Sequence, residues 1–210
     1  MPRLPPGRHG LPPEFVVDNQ RGRIAAGVIA VVVEGGYAQA TVTQFIGAAG
    51  VSRPTFYKYY PNKAEAFFDV YRQVTDFVCQ TMAETGGEGR SGWAARVRER
   101  LAALLGIYQA NHDLVRFTLI APQAAGGDAA AAYREFLERL LELIREGVPK
   151  SAKRPVPAAE YGLIGGLAGL LVSAVESRRA QDLEALLPEI TEVVLTPYLG
   201  REAAVKAAAG

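Results

Sequence analysis

At 210 residues, with 49% apolar and 21% charged side chains, the chain can bury one large core or two small ones, and its composition is that of an ordinary globular protein. The net charge of +1 indicates no partner, but residues 1–63 carry seven Lys/Arg against three acids, while the remainder carries 16 basic and 19 acidic residues. A positive N-terminal third on a slightly negative body favours an anionic partner at that end. The single cysteine, Cys79, excludes an internal disulfide and suits a reducing compartment; with only His9 and His112 beside it, no metal-ligand spacing arises.

Residues 1–13 hold five prolines and two glycines and read as an extended tail, with Arg3 and Arg8 either solvated or brushing a phosphate backbone. A first helix is expected over about 15–34, where Ile24, Val28, Val31 and Val32 recur at helical spacing and Gly35-Gly36 marks the stop. Arg21 and Arg23 ahead of this apolar run, with Ala38-Gln39-Ala40 behind it, imitate a secretory signal. The acids Glu14 and Asp18 in the leader argue against that reading.

A second helix, 42–49, starts from Thr41 as N-cap, with Gln44 three residues on completing a capping box. It buries Val42, Phe45, Ile46 and Ala49, and Gly50 permits a left-handed turn. Ser52 caps a third, short helix that ends at Pro61, with Pro54 in the first turn, where its missing N–H costs nothing. Phe56 and Tyr60 lie four apart and share a face with Val51, so they point inward, leaving Arg53, Thr55, Tyr57, Lys58 and Tyr59 outward. Two short helices joined by a glycine turn, the second basic and polar, make a helix-turn-helix whose second helix fits the DNA major groove. Arg53 suits bidentate pairing with guanine, and Thr55 suits a thymine methyl or a hydrogen bond. Tyr57, Lys58 and Tyr59 suit phosphate. Asn62 caps a fourth helix, and Lys63 in its first turn joins the N-terminal amides as a phosphate site.

Residues 21–71 resemble the DNA-binding domain of the tetracycline-repressor (TetR) family of bacterial transcription regulators. The resemblance is carried by Gly35-Gly36-Tyr37, Ala40-Thr41-Val42, Ala49-Gly50-Val51-Ser52 and the run Thr55-Phe56-Tyr57-Lys58-Tyr59-Tyr60-Pro61-Asn62-Lys63-Ala64-Glu65-Ala66. It implies an all-helical homodimer with a C-terminal ligand-binding domain and a palindromic operator. By position it implies DNA contacts from Thr41, Thr43, Arg53, Pro54, Thr55, Tyr57, Lys58, Tyr59 and Lys63. Two departures, Gly47 within the second helix and Val31-Val32-Val33 in the first, lie off the DNA surface.

Beyond this point the fourth helix is expected over 62–82, with Phe67, Phe68, Tyr71, Phe77 and Val78 as its stripe, then a loop over 85–89. Ser91 caps a fifth helix bearing Trp93, Val97, Leu101, Leu104, Leu105 and Tyr108. Asn111-His112-Asp113 opens a sixth, ended by Pro122, and Asp128 caps a seventh with Tyr133, Phe136, Leu137, Leu140, Leu141 and Ile144 on one face. After a loop at 149–157, helices over 158–178 and 183–199 close the chain, with a frayed tail from Arg201. Gly162, Gly165, Gly166 and Gly169 in the eighth helix favour close backbone approach. The apolar run 161–175 falls short of the ~20 residues that span a bilayer, so the last two helices are expected to form a four-helix dimer interface.

The expected fold is thus all-α with about nine helices: a tail and helix-turn-helix domain over 1–61, and a helical ligand-binding and dimerisation domain over 62–210. No paired-carboxylate motif, nucleophile elbow, P-loop or dinucleotide fingerprint is present, so no enzymatic activity or cofactor is expected, and Cys79 reads as an inert buried thiol. The resemblance implies an apolar effector pocket in the predicted helices spanning 62–178, for which Trp93, Tyr108, His112, Phe117 and Tyr161 are the candidates; His112 reads first as a cap or surface group, with the pocket contact as the alternative. Effector binding would swing the fourth helix and shift the population away from operator-bound dimers. The functional expectation is a cytoplasmic DNA-binding regulator, a repressor released by a small, largely apolar effector. A regulator without a small-molecule effector, and a helical binding or interaction protein that has lost DNA binding, remain as alternatives.

Overall fold

A computed structural model describes residues 20–86, 92–125, 127–177 and 182–209; these form helices joined by turns, with no strand among them. The expected tail, the first turn placed at 15–19 and the Ser91 cap lie outside the described residues. The elements are α1 (Gln20–Gln39), α2 (Val42–Ala49), α3 (Arg53–Tyr59), α4 (Lys63–Glu84), α5 (Trp93–Ala110), α6 (His112–Val115), a π-helical turn (Arg116–Ile120), α7 (Ala121–Ala125), α8 (Gly127–Arg145), α9 (Pro157–Glu176), a 3-10 turn (Glu184–Leu186), α10 (Leu187–Leu199) and α11 (Arg201–Ala209). The chain divides into two compact units, one of residues 1–74 with 110–130 and one of 75–109 with 131–210. This division does not follow the 1–61/62–210 boundary read from sequence, because 110–130 packs with the N-terminal helices.

In the first unit, α1 buries Ile24, Ala25, Val28, Ile29 and Val32, a stripe at helical spacing. A Cβ at Gly27 would come within 2.7 Å of the Ala49 backbone nitrogen, so glycine there lets the α1 and α2 backbones meet. The Gly35-Gly36 stop is a kink rather than an end. Gly36 takes φ 76°, ψ 153°, and one further turn follows it to Gln39. Phe45 and Ala49 of α2, Phe56 of α3 and Ala66, Phe67 and Val70 of α4 fill the core.

The sequence placed a helix end at Pro122, but the chain stays helical through it to Ala125. Proline cannot donate to the carbonyl four residues before it, here that of Thr118. The Tyr71 hydroxyl donates to that carbonyl instead, at 3.0 Å. Just upstream the ladder widens, with the Ala121 amide bonding the Arg116 carbonyl five residues back.

In the second unit, α5 presents Trp93, Val97, Leu101, Leu104, Leu105 and Tyr108 to the core, and α8 presents Phe136, Leu140, Leu141 and Ile144. A polar network sits within this apolar packing. Glu160 of α9 is buried and pairs with Arg145 of α8 at 2.6 Å, and it accepts the Tyr198 hydroxyl of α10 at 2.6 Å. The Tyr198 ring in turn meets Trp93 edge-on at 5.2 Å. The tail expected to fray is the helix α11: it buries Ala204 and Ala208, and Arg98 donates to the Ala208 carbonyl at 3.3 Å. Helix α9 is, by length and composition, apolar enough to cross a bilayer, yet only 33% of its apolar window is buried within the chain. Ile164, Leu167, Ala168, Leu171 and Val175 face inward, while Tyr161, Gly162, Gly165, Gly166, Gly169 and Leu170 are exposed.

Replacing Tyr71 with Phe removes the hydroxyl donor to the Thr118 carbonyl while keeping the ring. Chemical denaturation should show a loss of about 1–2 kcal/mol, and Pro122→Ala in the Tyr71→Phe background should recover part of it by restoring a backbone N–H.

Candidate nucleic-acid interface

Helix α3 is built by three local devices. The Thr41 hydroxyl accepts from the Gln44 amide at 3.3 Å while the Gln44 side chain accepts from the Thr41 amide at 2.8 Å, so the capping box starts α2. Gly50 ends α2 at φ 59°, ψ 35°, the left-handed region that glycine enters freely. Ser52 then caps α3 by accepting from the Thr55 amide at 3.2 Å, with Pro54 in the first turn.

The inward face of α3 is aromatic. Phe56 is fully buried and Tyr60, which ends the helix, is 3% exposed; their rings lie 5.8 Å apart. The outward face holds Arg53, Pro54, Tyr57, Lys58 and Tyr59, all exposed, with Thr55 half-buried and its hydroxyl 2.8 Å from that of Ser52. Arg53 lies over the Tyr57 ring at 5.9 Å and Lys58 over the Tyr59 ring at 5.8 Å, so each cation has an aromatic neighbour. Thr41 and Thr43 are exposed on α2. Eight of the nine sequence-predicted DNA contacts therefore lie on α3 or at the start of α2.

The ninth, Lys63, is placed differently. Its ammonium donates to the carbonyls of Tyr37 at 3.0 Å and Ala38 at 3.5 Å, and lies 4.4 Å from the centre of the Tyr37 ring. It thus neutralises the carbonyl end of α1, a favourable place for a cation.

Two further basic residues that sequence counted only as charge also hold the unit together. Arg23 of α1 donates to the Ala49 carbonyl at 3.1 Å and to the Gly50 carbonyl, fastening the turn between α2 and α3. Arg21 makes a two-pronged pair with Asp69 of α4, at 3.0 and 2.9 Å. Asp69 also accepts from the Tyr60 hydroxyl at 2.6 Å and from Gln73 at 2.7 Å. Burial pushes the Asp69 carboxyl upward, but the hydrogen bonds from Tyr60 and Arg21 outweigh it and hold the group below its ordinary range. No local pattern announces these partners, because each lies more than 25 residues away in the chain from Arg21 or Arg23.

The five candidate effector contacts fall in both units. In the second unit, Trp93 is buried and donates from its indole nitrogen to the Ile144 carbonyl at 2.8 Å, Tyr108 is buried in packing, and Tyr161 is 56% exposed on α9. In the first unit, Phe117 is fully buried, 5.6 Å from Phe67 and 6.1 Å from Tyr71. His112 is half-buried, and its Nε2 has no hydrogen-bond partner among the described residues. A groove of about 670 Å³ on the second unit is lined instead by Asp76, Cys79, Gln80, Ala83, Arg139, Glu142, Leu143 and Glu146. Cys79 is 6% exposed, and burial pushes its thiol up to about 11, which suppresses the reactive thiolate. No group of three or more His, Cys, Asp or Glu among the described residues is placed to hold a metal ion.

The family model for bacterial regulatory proteins of the tetR family matches residues 25–70. No curated protein matches the sequence. Among solved structures, the fatty acid degradation regulator FadR from Bacillus halodurans is 23% identical, with a TM-score of 0.68 over 82% of this chain and 96% of that one. The transcriptional regulator FadR from Bacillus subtilis, in complex with stearoyl-CoA, is 20% identical, with a TM-score of 0.69 over 83% and 97%. SmeT, the repressor of the Stenotrophomonas maltophilia multidrug efflux pump SmeDEF, is 21% identical, with a TM-score of 0.61 over 86% and 91%. These likenesses establish the fold.

Two outcomes test the local architecture. Gly50→Ala should cost about 1–2 kcal/mol in denaturant unfolding, since a Cβ there is strained at positive φ and would lie 2.8 Å from Arg23 Nη2. Because Asp69 is held below its ordinary range, its contribution is complete above the unfolded carboxyl value of about 3.9 and is lost as pH falls through the lower folded value. The stability gap between wild type and Asp69→Asn should therefore hold above about pH 4 and shrink as the pH falls below it.

Proposed function

We propose that the chain is a tetR-family DNA-binding transcription regulator, a repressor that a small, largely apolar effector releases from its operator. The observation that carries this reading is α3 itself: a short helix seated by Phe56 and Tyr60, with Arg53, Pro54, Thr55, Tyr57, Lys58 and Tyr59 on its other side. Such a helix enters the major groove with its N-terminal residues nearest the bases. Arg53 and Thr55 read base edges, while Tyr57, Lys58, Tyr59, Thr41 and Thr43 hold the phosphate backbone, and Lys63 supports them from the start of α4.

One copy of α3 covers too little DNA for tight selective binding, so the regulator acts as a twofold dimer on a palindromic operator, its two copies of α3 about one DNA turn, ~34 Å or somewhat more, apart. Helices α9 and α10 supply the dimer surface: the exposed glycine row and Leu170 of α9, together with the exposed Val193 of α10, offer apolar surface that a partner copy covers in a four-helix bundle. That use also accounts for an apolar α9 without a membrane and fits a cytoplasmic regulator. Residues 1–61 then form the DNA-binding part and 62–210 the effector-binding and dimerisation part. Stearoyl-CoA in the FadR structure from Bacillus subtilis supports an effector with an acyl or comparable apolar portion. Such an effector acts by binding more tightly to the arrangement with low operator affinity, which shifts the population away from DNA.

The test begins with selection of duplexes from a random pool by the full-length protein, followed by anisotropy titrations. Arg53→Ala should cost about 1–3 kcal/mol on the selected duplex and relax the preference at one base position. Lys58→Ala should weaken all duplexes alike and lower the salt slope by about one. Failure of the wild-type protein to bind any duplex at low salt would reject the regulator reading.

A further inference from the structure

Helix α3 is fixed at its start by backbone chemistry, through the Gly50 turn, the Arg23 bonds and the Ser52 cap. Its other end is held differently. Tyr60 leaves the helix with extended φ −136°, ψ 121°, its ring buried and its hydroxyl 2.6 Å from the Asp69 carboxylate. The same carboxylate takes both prongs of Arg21 from α1 and the amide of Gln73 one turn along α4. One side chain thus joins the end of α3 to α1 and α4.

We propose that Asp69 is a positioning residue for DNA recognition: by fixing the Tyr60 hydroxyl against α1 and α4, it sets the angle at which α3 presents Arg53 and Thr55 to base edges. This inference rests on the regulator reading above and names the contact within the fold on which its selectivity depends. The physical reason is directional. Burial of Phe56 and Tyr60 holds α3 to the core but is nearly indifferent to small rotations of the helix. A hydrogen bond weakens steeply once its angle departs from linear, and one to a charged acceptor is stronger than a neutral one. With the N-terminal end fixed at the Gly50 turn, the Tyr60–Asp69 bond is the second point that defines the axis. Reading bases needs this definition far more than phosphate contact does, because phosphate attraction is long-ranged and tolerant of angle.

The experiment uses full-length Tyr60→Phe, which keeps the buried ring and removes only the hydroxyl, together with Asp69→Asn and the double variant. Each is titrated with the duplex that the wild type selects from a random pool and with a mixed-sequence duplex of equal length, across a salt series. Tyr60→Phe should bind the selected duplex about tenfold more weakly, the loss of one charge-assisted hydrogen bond's worth of alignment. Its affinity for mixed-sequence DNA and its salt slope should stay at wild-type values. The double variant should lose no more selectivity than Asp69→Asn alone, and amides of residues 53–59 should exchange faster in Tyr60→Phe while those of α1 stay unchanged. An unaltered ratio of selected to mixed affinity in Tyr60→Phe overturns the inference, as does a loss shared equally by both duplexes, and in either case the regulator reading stands. A wild-type protein that selects no duplex overturns both.

Discussion

A helix of seven residues leaves more backbone groups unbonded at its two ends than it satisfies inside, and helix nucleation is unfavourable in isolation. Helix α3 therefore depends on what is arranged around it, and most of the first unit can be understood as that arrangement. The Ser52 cap and the Gly50 turn define where the helix begins, the buried rings of Phe56 and Tyr60 define which side faces the core, and Asp69 receives the residue on which it ends. The outward residues can then be selected for DNA alone, because none of them is needed for the seat. That separation is visible in exposure: Tyr57 is 45% exposed and Phe56 not at all, although they are adjacent in sequence.

The seat also explains where much of the positive charge goes. The N-terminal excess of Lys and Arg reads from sequence as an electrostatic footprint for an anion. In the folded unit, Arg21 is paired with a carboxylate, and Arg23 and Lys63 sit on the carbonyl ends of α2 and α1. Arg21 is held by its carboxylate, and cations at helix C-termini are stabilising in themselves, so these three act first as structural pins. Arg53 and Lys58 are then the described basic side chains on the face of α3, and selectivity falls on few contacts, which makes the angle of α3 matter.

The elements most legible in sequence are those whose partners lie within a few residues. Thr41 with Gln44, Gly50 after Ala49 and Ser52 before Pro54 each complete a local rule, and α2 and α3 fall where those rules put them. The pins were not legible, because Arg23 meets Ala49 across 26 positions, Lys63 meets Tyr37 across 26, and Arg21 meets Asp69 across 48. Pro122 misled for the same reason. Its local meaning is a helix stop, and the distant Tyr71 hydroxyl supplies a donor that the proline lacks. The tail from Arg201 differs for another reason: five alanines between Arg201 and Gly210 carry strong intrinsic helix propensity, and small side chains let α11 lie close on α10. Aromatic content does not by itself separate a core from a pocket: Trp93, Tyr108 and Phe117 are buried, and their rings suit either role.

Helix α9 carries the same argument from the opposite side. Glycine in a helix interior costs roughly 0.5–1 kcal/mol relative to alanine, and a Cβ added at Gly162, Gly165, Gly166 or Gly169 would meet no atom within 4 Å. Among the described residues nothing therefore requires glycine at these four positions, and alanine would serve the isolated helix better. The cost is offset only if another backbone lies closer to that face than a methyl group allows. In the proposed dimer the partner's helices do so, and the shallow glycine row fixes how the two copies meet. The spacing of the two α3 helices on DNA then depends on residues more than 100 positions from either of them, just as the angle of each depends on Asp69.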